Sequence, residues 1–219
     1  MADLTWPRAV ASGERLLVVP VGATEQHGPH LPLSTDTDVA CALAARLAAR
    51  RPDVDVAPAL AYGASGEHAG FAGTLSIGTA ALRLLLVELG RSATATWPRV
   101  LLLSAHGGNA DAVRGAVSLL RAESRDVRAW SPGWRGDAHA GRTETSVQLA
   151  LAPGRVALQA AEVGATAPLD ELLPRLRDGG VAAVSANGVL GDPSGASPEE
   201  GDRLLRTAVD ELCAWLGAP

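Results

Sequence analysis

Short apolar runs alternate along the chain with longer segments in which apolar residues recur every three or four positions. The short runs are typical of buried strands and lie at residues 15–21, 54–60, 100–105 and 127–130. Helical spacing begins at residue 37 and returns at residues 79–93, 110–123, 169–176 and 198–216. Strands that alternate with such helices indicate crossover units. We therefore predict an α/β fold with a mostly parallel central sheet and helices on both of its faces.

Two of the predicted helices carry more specific signals. Four leucines of residues 79–93 would share one buried face: Leu82, Leu85, Leu86 and Leu89. In the last helix, Ser197 is the expected N-cap, Pro198 suits the first turn, and Glu200 completes a capping box. Residues 153–198 are rich in Gly, Pro and Ala, so we expect them to run over the surface, with one short helix within them.

Composition narrows the class of protein. The 219 residues are 47% apolar and 20% charged with a net charge of -5, which suits a single globular domain spanning residues 1–219. We expect no nucleic-acid partner, because the basic residues are not clustered, and no membrane span or signal peptide. Cys41 and Cys213 are expected to be free, buried thiols of a cytoplasmic protein. All 19 basic residues are arginine, which excludes Schiff-base lysine chemistry and a Walker-A phosphate loop.

The first candidate site, EQHGPHLPLSTD at residues 25–36, directly follows the first strand. Glu25 and His27 are two positions apart, so in an extended segment their side chains point the same way. Carboxylates together with imidazoles suit zinc, manganese or ferrous iron, and Asp36 could bridge two ions. The alternative is a polar loop in which Asp36 or Asp38 only caps the next helix. We expect His30 to be structural.

Two further candidate segments flank the other buried strands. HGGN, at residues 106–109, ends the clearest of these strands, with Asn109 as the expected cap of the helix that follows. DAHAGRTETS, at residues 137–146, offers His139 and Glu144 as acid, base or extra ligand. The alternative for this second segment is a surface turn in which Thr143 caps a helix.

The last candidates are a glycine-rich loop and a pair of tryptophans. GEHAGFAGT, at residues 66–74, contains Glu67 and His68 and could lie over the site. Trp130 and Trp134 could line a substrate pocket or simply pack in the core. The chain has five histidines, all of them within these four segments, and this distribution favours one shared metal site.

At these residues the chain resembles the creatininase family. The similar segments are VPVGATEQHGPHLPLSTDTD, GEHAGFAGT, SAHGGN and DAHAGRTETS. The resemblance implies an α/β/α layered fold, a homo-oligomer such as a hexamer or octamer, and a metal held by Glu25, His27, Asp36 and His106. One or two divalent ions are implied, Zn²⁺ or Fe²⁺ with Mn²⁺ as an alternative. Creatininase takes a further ligand from a glutamate where this chain has Gly108, so either the second ion is absent or Glu144 serves it.

A narrower resemblance points to a branch of that family. ASGEHAGFAGTLSIGTAAL, DAHAGRTETS and SANGVLGDPSGAS are similar to peptidases that act on a modified precursor peptide. This implies cleavage near the C-terminus of the peptide and release of a cross-linked, decarboxylated Val-Tyr unit. Two positions depart from the branch: Ala72 stands where proline is usual, and Ser104-Ala105 replaces Asn-Gly. Neither departure removes an implied ligand.

The resulting hypothesis is metal-activated hydrolysis of an amide bond. The ion would lower the pKa of a bound water toward ~7 and, with His139, stabilise the oxyanion. Glu144 or His139 would move a proton to the leaving amine, Glu67 would assist, and His68 and Trp134 would contact substrate. Three alternatives remain open: a family member acting on a cyclic amide or formamide, a non-haem iron oxygenase, and a metal-carrying binding protein.

Overall fold

Four parallel strands form one sheet in the order β2–β1–β3–β4 in the computed structural model, which describes residues 1, 5–10 and 14–217. The strands are β1 (Leu16–Val21), β2 (Val54–Val56), β3 (Arg99–Ser104) and β4 (Asp126–Trp130). The helices are α1 (Trp6–Val10), α2 (Thr35–Arg50), α3 (Gly78–Ala93), α4 (Ala110–Ala122), α5 (Arg142–Leu151), α6 (Leu169–Gly179) and α7 (Pro198–Leu216). The expected absence of a signal peptide rests partly on residues outside the described ranges.

Both faces of the sheet are covered by helices, which makes an α/β/α fold. All six side chains of β1 are buried, and alternate residues point to opposite faces. Leu17, Val19 and Leu102 pack with the buried sides of α3 and α4. Leu16, Val18 and Leu101 pack with α2, α5 and α7 on the other face. A strand buried on both faces explains the unbroken apolar runs of the sequence.

The sheet has a topological switch point between β1 and β3. The chain leaves β1 through α2 toward β2, then crosses back through α3 to pair β3 with the opposite edge of β1. The register aligns Leu16 with Arg99 and Val21 with Ser104, so the carboxyl ends of both strands lie side by side. Ligands of open α/β sheets bind in the crevice that such a reversal opens. This crevice is where the first two candidate segments meet.

Several expectations from the pattern need correction. The second strand is shorter than residues 54–60, although Leu60 still bridges Val21. Leu85 is 38% exposed, because the buried face of α3 runs through Leu82 and Leu86. Cys41 is a free but exposed thiol, because it lies on the outer side of α2.

Two capping predictions fail while a third is confirmed. Gly141 is the N-cap of α5 and Thr143 lies inside the helix, so Thr143 is not the cap. Asn109 precedes α4 but makes no capping bond, because its side chain is committed elsewhere. Ser197 caps α7 as predicted, accepting a hydrogen bond from the Glu200 backbone N–H at 3.2 Å. The predicted capping box does not form, because the Ser197 N–H donates to Ser146 Oγ and the Glu200 carboxylate accepts from Arg142 and Ser146. Within the described residues, no helix is long and apolar enough to cross a membrane.

Replacing Ser197 with alanine should destabilise the protein by about 1 kcal/mol, because the Glu200 N–H at the start of α7 loses its acceptor. Urea unfolding should show a lower midpoint with an unchanged slope. Ser194→Ala is the control, because Ser194 lies three residues before the cap in an exposed turn. Equal midpoints for both variants and the wild type would show that this cap contributes nothing.

Candidate metal centre and active-site cavity

The carboxyl ends of β1 and β3 and the first turn of α2 bring three segments together. The loop after β1 carries Glu25 and His27, α2 carries Asp36, and the residue pair after β3 ends in His106. The Glu25 backbone N–H donates to Leu33 O at 3.0 Å, which folds the loop back toward α2. The structure thereby juxtaposes all four residues that the family resemblance implies as ligands.

Their side-chain atoms form a compact, buried cluster. Glu25 Oε2 lies 3.2 Å from His106 Nε2. Asp36 stands between the two histidines, with Oδ1 3.4 Å from His27 Nε2 and Oδ2 3.3 Å from His106 Nδ1. The His27 Nδ1–H donates to the Glu25 backbone carbonyl at 3.1 Å, which leaves its Nε2 free to face Asp36. The exposed fractions of the four residues are between 0% and 7%.

Glu144 and His139 reach the same cluster from the segment that begins α5. Glu144 Oε2 is 4.0 Å from both His27 Nε2 and His139 Nδ1 and accepts a hydrogen bond from the Ala140 backbone N–H. His139 Nε2 lies 2.8 Å from the backbone carbonyl of Gln26 and donates to it. The neutral His139 ring therefore keeps a bare Nδ1 toward Glu144 and has no remaining N–H for an oxyanion.

The glycine-rich segment adds two residues of different character. His68 is buried, with Nε2 3.3 Å from Glu25 Oε1. The Glu67 side chain is 36% exposed and places Oε1 3.6 Å from His106 Nε2. An ideal Cβ at Gly108 would lie 2.4 Å from that same Glu67 oxygen. Glu67 thus occupies the space above Gly108 that a longer residue at position 108 would need.

The cluster has the donors and the unmet polar atoms that a cation requires. Four of its atoms are buried without a hydrogen-bond partner: Glu25 Oε1, Glu25 Oε2, His27 Nε2 and Asp36 Oδ2. Buried polar atoms are normally paired, so these orphaned atoms fit a bound ion. Three sets each offer donor atoms within 4.8 Å of one another: Glu25–Asp36–His106, His27–Asp36–Glu144 and Glu25–His27–His139. Carboxylate and imidazole donors are those that zinc, manganese and iron accept.

Burial and the charges of neighbouring side chains shift the pKa values of the cluster in the absence of a metal ion. Burial, with the nearby Asp36 carboxylate, raises the pKa of Glu25 to about 8. Burial opposes a charge on His27, but the surrounding carboxylates, led by Asp36, outweigh it and raise its pKa to about 10. Burial, followed by repulsion from His106, lowers the pKa of His68 to about 3. Burial, followed by repulsion from His27, places the pKa of His139 well below its usual range.

Two predicted residues lie away from the cluster. Trp134, expected to contact substrate, packs like Trp130 against the hydrophobic cluster formed with α2, α5 and α7, and it does not line the cavity that opens over the candidate metal centre. His30 is buried with Nε2 2.9 Å from Thr145 Oγ1, in keeping with the expected structural role.

A cavity of about 760 Å³ opens over the cluster. Glu25, Asp36, His106 and Glu144 form its polar floor. One wall is apolar and comes from α6 through Leu169, Leu173 and Leu176, followed by Arg177. This volume lies within the range of small-molecule and peptide-side-chain sites. The apolar wall comes from the short helix that the pattern had assigned only to the surface.

Three residues support the site in roles that the sequence analysis did not assign to them. Gln26 contacts both His68 and His139. Asn109 accepts from the Ala64 backbone N–H at 2.9 Å and donates to Gly22 O at 3.0 Å, which ties the glycine-rich segment to β1. Ser65 Oγ lies 3.4 Å from His106 Nε2. Gln26, between Glu25 and His27, and Asn109, in HGGN, lie within candidate segments, whereas Ser65 had no signal in the sequence.

Comparison with known proteins identifies the family and supports the fold. The family model for creatininase, described as creatinine amidohydrolase, matches residues 2–216. A mycofactocin precursor peptide peptidase of Mycolicibacterium smegmatis is 54% identical over 91% of this chain and 85% of its own length. A crystal structure of creatinine amidohydrolase superposes with a TM-score of 0.82 at 29% identity, covering 99% of this chain and 96% of that one. A creatininase variant described as Zn–Zn type has a TM-score of 0.79 at 28% identity, over 97% of this chain and 94% of its own. The chain belongs to the creatininase family.

Proposed function

We propose that the protein is a metal-dependent peptidase of mycofactocin biosynthesis. It cleaves the modified precursor peptide near its C-terminus and releases the cross-linked Val-Tyr-derived unit. The observation that carries the proposal is the convergence of Glu25, Asp36 and His106 on the floor of a cavity, with His27 Nε2 3.4 Å from Asp36 Oδ1 and with orphaned buried atoms in the cluster. The 54% identity to a mycofactocin precursor peptide peptidase supports the choice of substrate.

The donor sets suit two divalent ions that share Asp36. Glu25, Asp36 and His106 would hold the first ion, and His27, Asp36 and Glu144 the second. Glu144 would then take the place of the glutamate that creatininase has where this chain has Gly108. The Zn–Zn description of a structurally similar creatininase supports zinc, with Fe²⁺ and Mn²⁺ as alternatives. When bound, such ions acidify a water ligand and polarise the scissile carbonyl.

Proton transfer falls to residues that reach the cavity without belonging to either proposed ion site. Glu67 lines the cavity and is partly exposed, so it can take a proton from the attacking water and return it to the leaving amine. His139 offers a bare Nδ1, which suits a proton acceptor or a further ligand and not an oxyanion donor. His68 faces the Glu25 carboxylate, so we assign it to positioning this ligand.

The apolar wall of α6 supports an apolar residue beside the scissile bond. Leu169, Leu173 and Leu176 recur on one side of the helix and face the cavity. Leu169 is 47% exposed and Leu173 36%, so both side chains are available to contact a substrate. Arg177 adds a positive charge at the end of this wall.

Metal binding at pH 7 should release more than one proton per protein molecule. Glu25 and His27, with pKa values near 8 and 10 in the metal-free protein, both hold a proton at that pH and must lose it to bind an ion. Affinity should therefore rise as the pH rises from 6 toward 10. Titration calorimetry in buffers of different ionisation enthalpy measures the released protons. A binding enthalpy that does not depend on the buffer would contradict this protonation pattern.

The proposed function is tested by incubating the purified, metal-reconstituted protein with the modified precursor peptide and identifying the fragments by mass spectrometry. We expect one cut near the C-terminus that chelator abolishes and added metal restores. Creatinine and formamides are assayed in parallel, to test the alternative substrates. We expect the cleavage of the precursor peptide to proceed unchanged without oxygen. Turnover of creatinine alone, a requirement for oxygen, or tight peptide binding without cleavage would each overturn the proposal.

We also propose a cytoplasmic homo-oligomer, a hexamer or octamer. Exposed apolar side chains support assembly, among them Trp6 at 79% and Leu84 at 62% exposure. Light scattering coupled to size-exclusion chromatography measures the mass, and a monomeric mass would contradict the assembly.

A further inference from the structure

The buried side-chain amide of Gln26 lies between two histidines of the cluster. Gln26 is 5% exposed, with Nε2 2.8 Å from His68 Nδ1 and 3.1 Å from His139 Nε2. We propose that Gln26 is a positioning residue that determines which ring nitrogen carries the proton in His68 and in His139. The catalytic purpose of this arrangement rests on the proposed function, whereas the proton positions do not.

Two backbone groups fix the orientation of the Gln26 amide. Its Oε1 accepts from the Gly28 N–H at 2.8 Å, and its Nε2 donates to the Gly188 carbonyl at 3.0 Å. A flipped amide would set two oxygens against each other at Gly188 and two N–H groups against each other at Gly28, so the observed orientation is enforced. Gly188 has φ +80°, and an ideal Cβ there would lie 2.0 Å from Gln26 Oε1, so only glycine leaves room for this clamp.

The enforced orientation determines the His68 tautomer. Because the amide N–H points at His68 Nδ1, that nitrogen must accept, and the proton of the neutral ring resides on Nε2. His68 Nε2 faces Glu25 Oε1 at 3.3 Å. His68 therefore offers an N–H to one oxygen of this carboxylate, while the other oxygen, Oε2, lies 3.2 Å from His106.

The backbone of Gln26 determines the opposite arrangement in His139. The carbonyl oxygen of Gln26, 2.8 Å from His139 Nε2, can only accept, so the proton resides on Nε2 and Nδ1 is bare. Nδ1 lies 3.8 Å from Glu25 Oε1 and 4.0 Å from Glu144 Oε2. The 3.1 Å approach of Gln26 Nε2 to His139 Nε2 joins two donors and carries no hydrogen bond.

Gln26 thus determines that His68 presents an N–H to Glu25 and that His139 presents a bare nitrogen to it. The His68 N–H faces Glu25 Oε1 at 3.3 Å, and the His139 lone pair remains available for a proton or an ion. Outer hydrogen bonds of this kind typically change metal affinity by about 10- to 100-fold. Gln26 does not line the cavity, so it can influence the site only through these histidines and through the loop that it ties to Gly28 and Gly188.

The test is ¹⁵N NMR of the full-length protein labelled at histidine, which reports the protonated nitrogen of each of its five rings. In the wild type, metal-free and with Zn²⁺, we expect His68 as the Nε2–H tautomer and the neutral His139 ring with its proton on Nε2. Gln26→Glu removes the donor, so His68 should become protonated on Nδ1, and Zn²⁺ affinity should fall about 10- to 100-fold. Gln148→Leu is the matched control, because Gln148 is equally buried, donates to Thr35 O and has no hydrogen bond to a histidine.

The outcomes separate this inference from the proposed function. The inference about Gln26 would be overturned by a wild-type His68 that is protonated on Nδ1, or by a His68 tautomer that Gln26→Glu leaves unchanged. The wild-type spectrum alone decides the tautomers if the variant does not fold. Correct tautomers in a protein that fails to cleave the precursor peptide would refute only the function.

Discussion

Asp36→Asn should lose its bound metal and at least about 1,000-fold in kcat/KM, equivalent to about 4 kcal/mol of transition-state stabilisation. Asp36 is the one carboxylate shared by both proposed ion sites and lies within 3.4 Å of His27 and His106. An amide in its place keeps the volume but removes the negative charge and one of the two oxygens. Metal content by plasma emission spectrometry and peptide cleavage by mass spectrometry measure the two losses together.

Asp38→Asn is the matched control for this variant. Asp38 lies two residues further along α2, where it accepts from Ser34 Oγ and pairs with Arg155 at 2.9 Å, away from the cluster. We expect its activity and metal content to stay within about twofold of wild type, because exposed pairs contribute little. An Asp36→Asn protein that keeps its metal, or keeps its turnover, would contradict the ligand role.

Glu144→Gln should reduce the metal content from two ions to one and lower kcat by about 100-fold. Glu144 completes the set with His27 and Asp36, and an uncharged amide binds a divalent ion weakly. The glutamine oxygen can still accept from the Ala140 N–H, so the start of α5 should remain intact. Stoichiometry measured on protein dialysed against trace metal distinguishes one ion from two.

Glu67→Gln provides the contrasting result. Glu67 lines the cavity but belongs to none of the three donor sets within the described residues. We expect full metal content and a kcat lowered by about 100-fold, the usual contribution of a general base. If Glu67→Gln loses one ion and Glu144→Gln does not, the two assignments are reversed. Glu67 Oε1, which lies next to Gly108, would then be the ligand of the second ion, and Glu144 the general base.

The elements of this fold were largely predictable because their apolar patterns are strong. β1 and β3 are buried on both faces, so their unbroken apolar runs identified them, and the alternation with helices indicated a parallel sheet. Leu85 shows the limit of such patterns, since helical spacing alone does not set how wide the buried face of α3 is. Helix α5 was foreseen only as an alternative, because Gly141 caps it without a side-chain signal.

The candidate site was predictable where polar residues follow a strand directly. Glu25, His27 and His106 do so, and the pairing of β1 with β3 brings their segments together. The role of Asn109 was misjudged, because its partners Ala64 and Gly22 are distant in sequence and become neighbours only in the fold. The cavity wall formed by α6 could not be predicted either, because its leucine pattern is compatible with a surface helix and with a cavity wall. Trp134 illustrates the reverse, since proximity in sequence to His139 did not place it in the cavity.

Anomalous diffraction from crystals grown with Zn²⁺ or Mn²⁺, recorded on both sides of the metal absorption edge, tests the central claim most directly. We predict one peak bounded by Glu25, Asp36 and His106, and a second bounded by His27, Asp36 and Glu144. A metal peak elsewhere in the molecule, with none beside Asp36, would contradict the account.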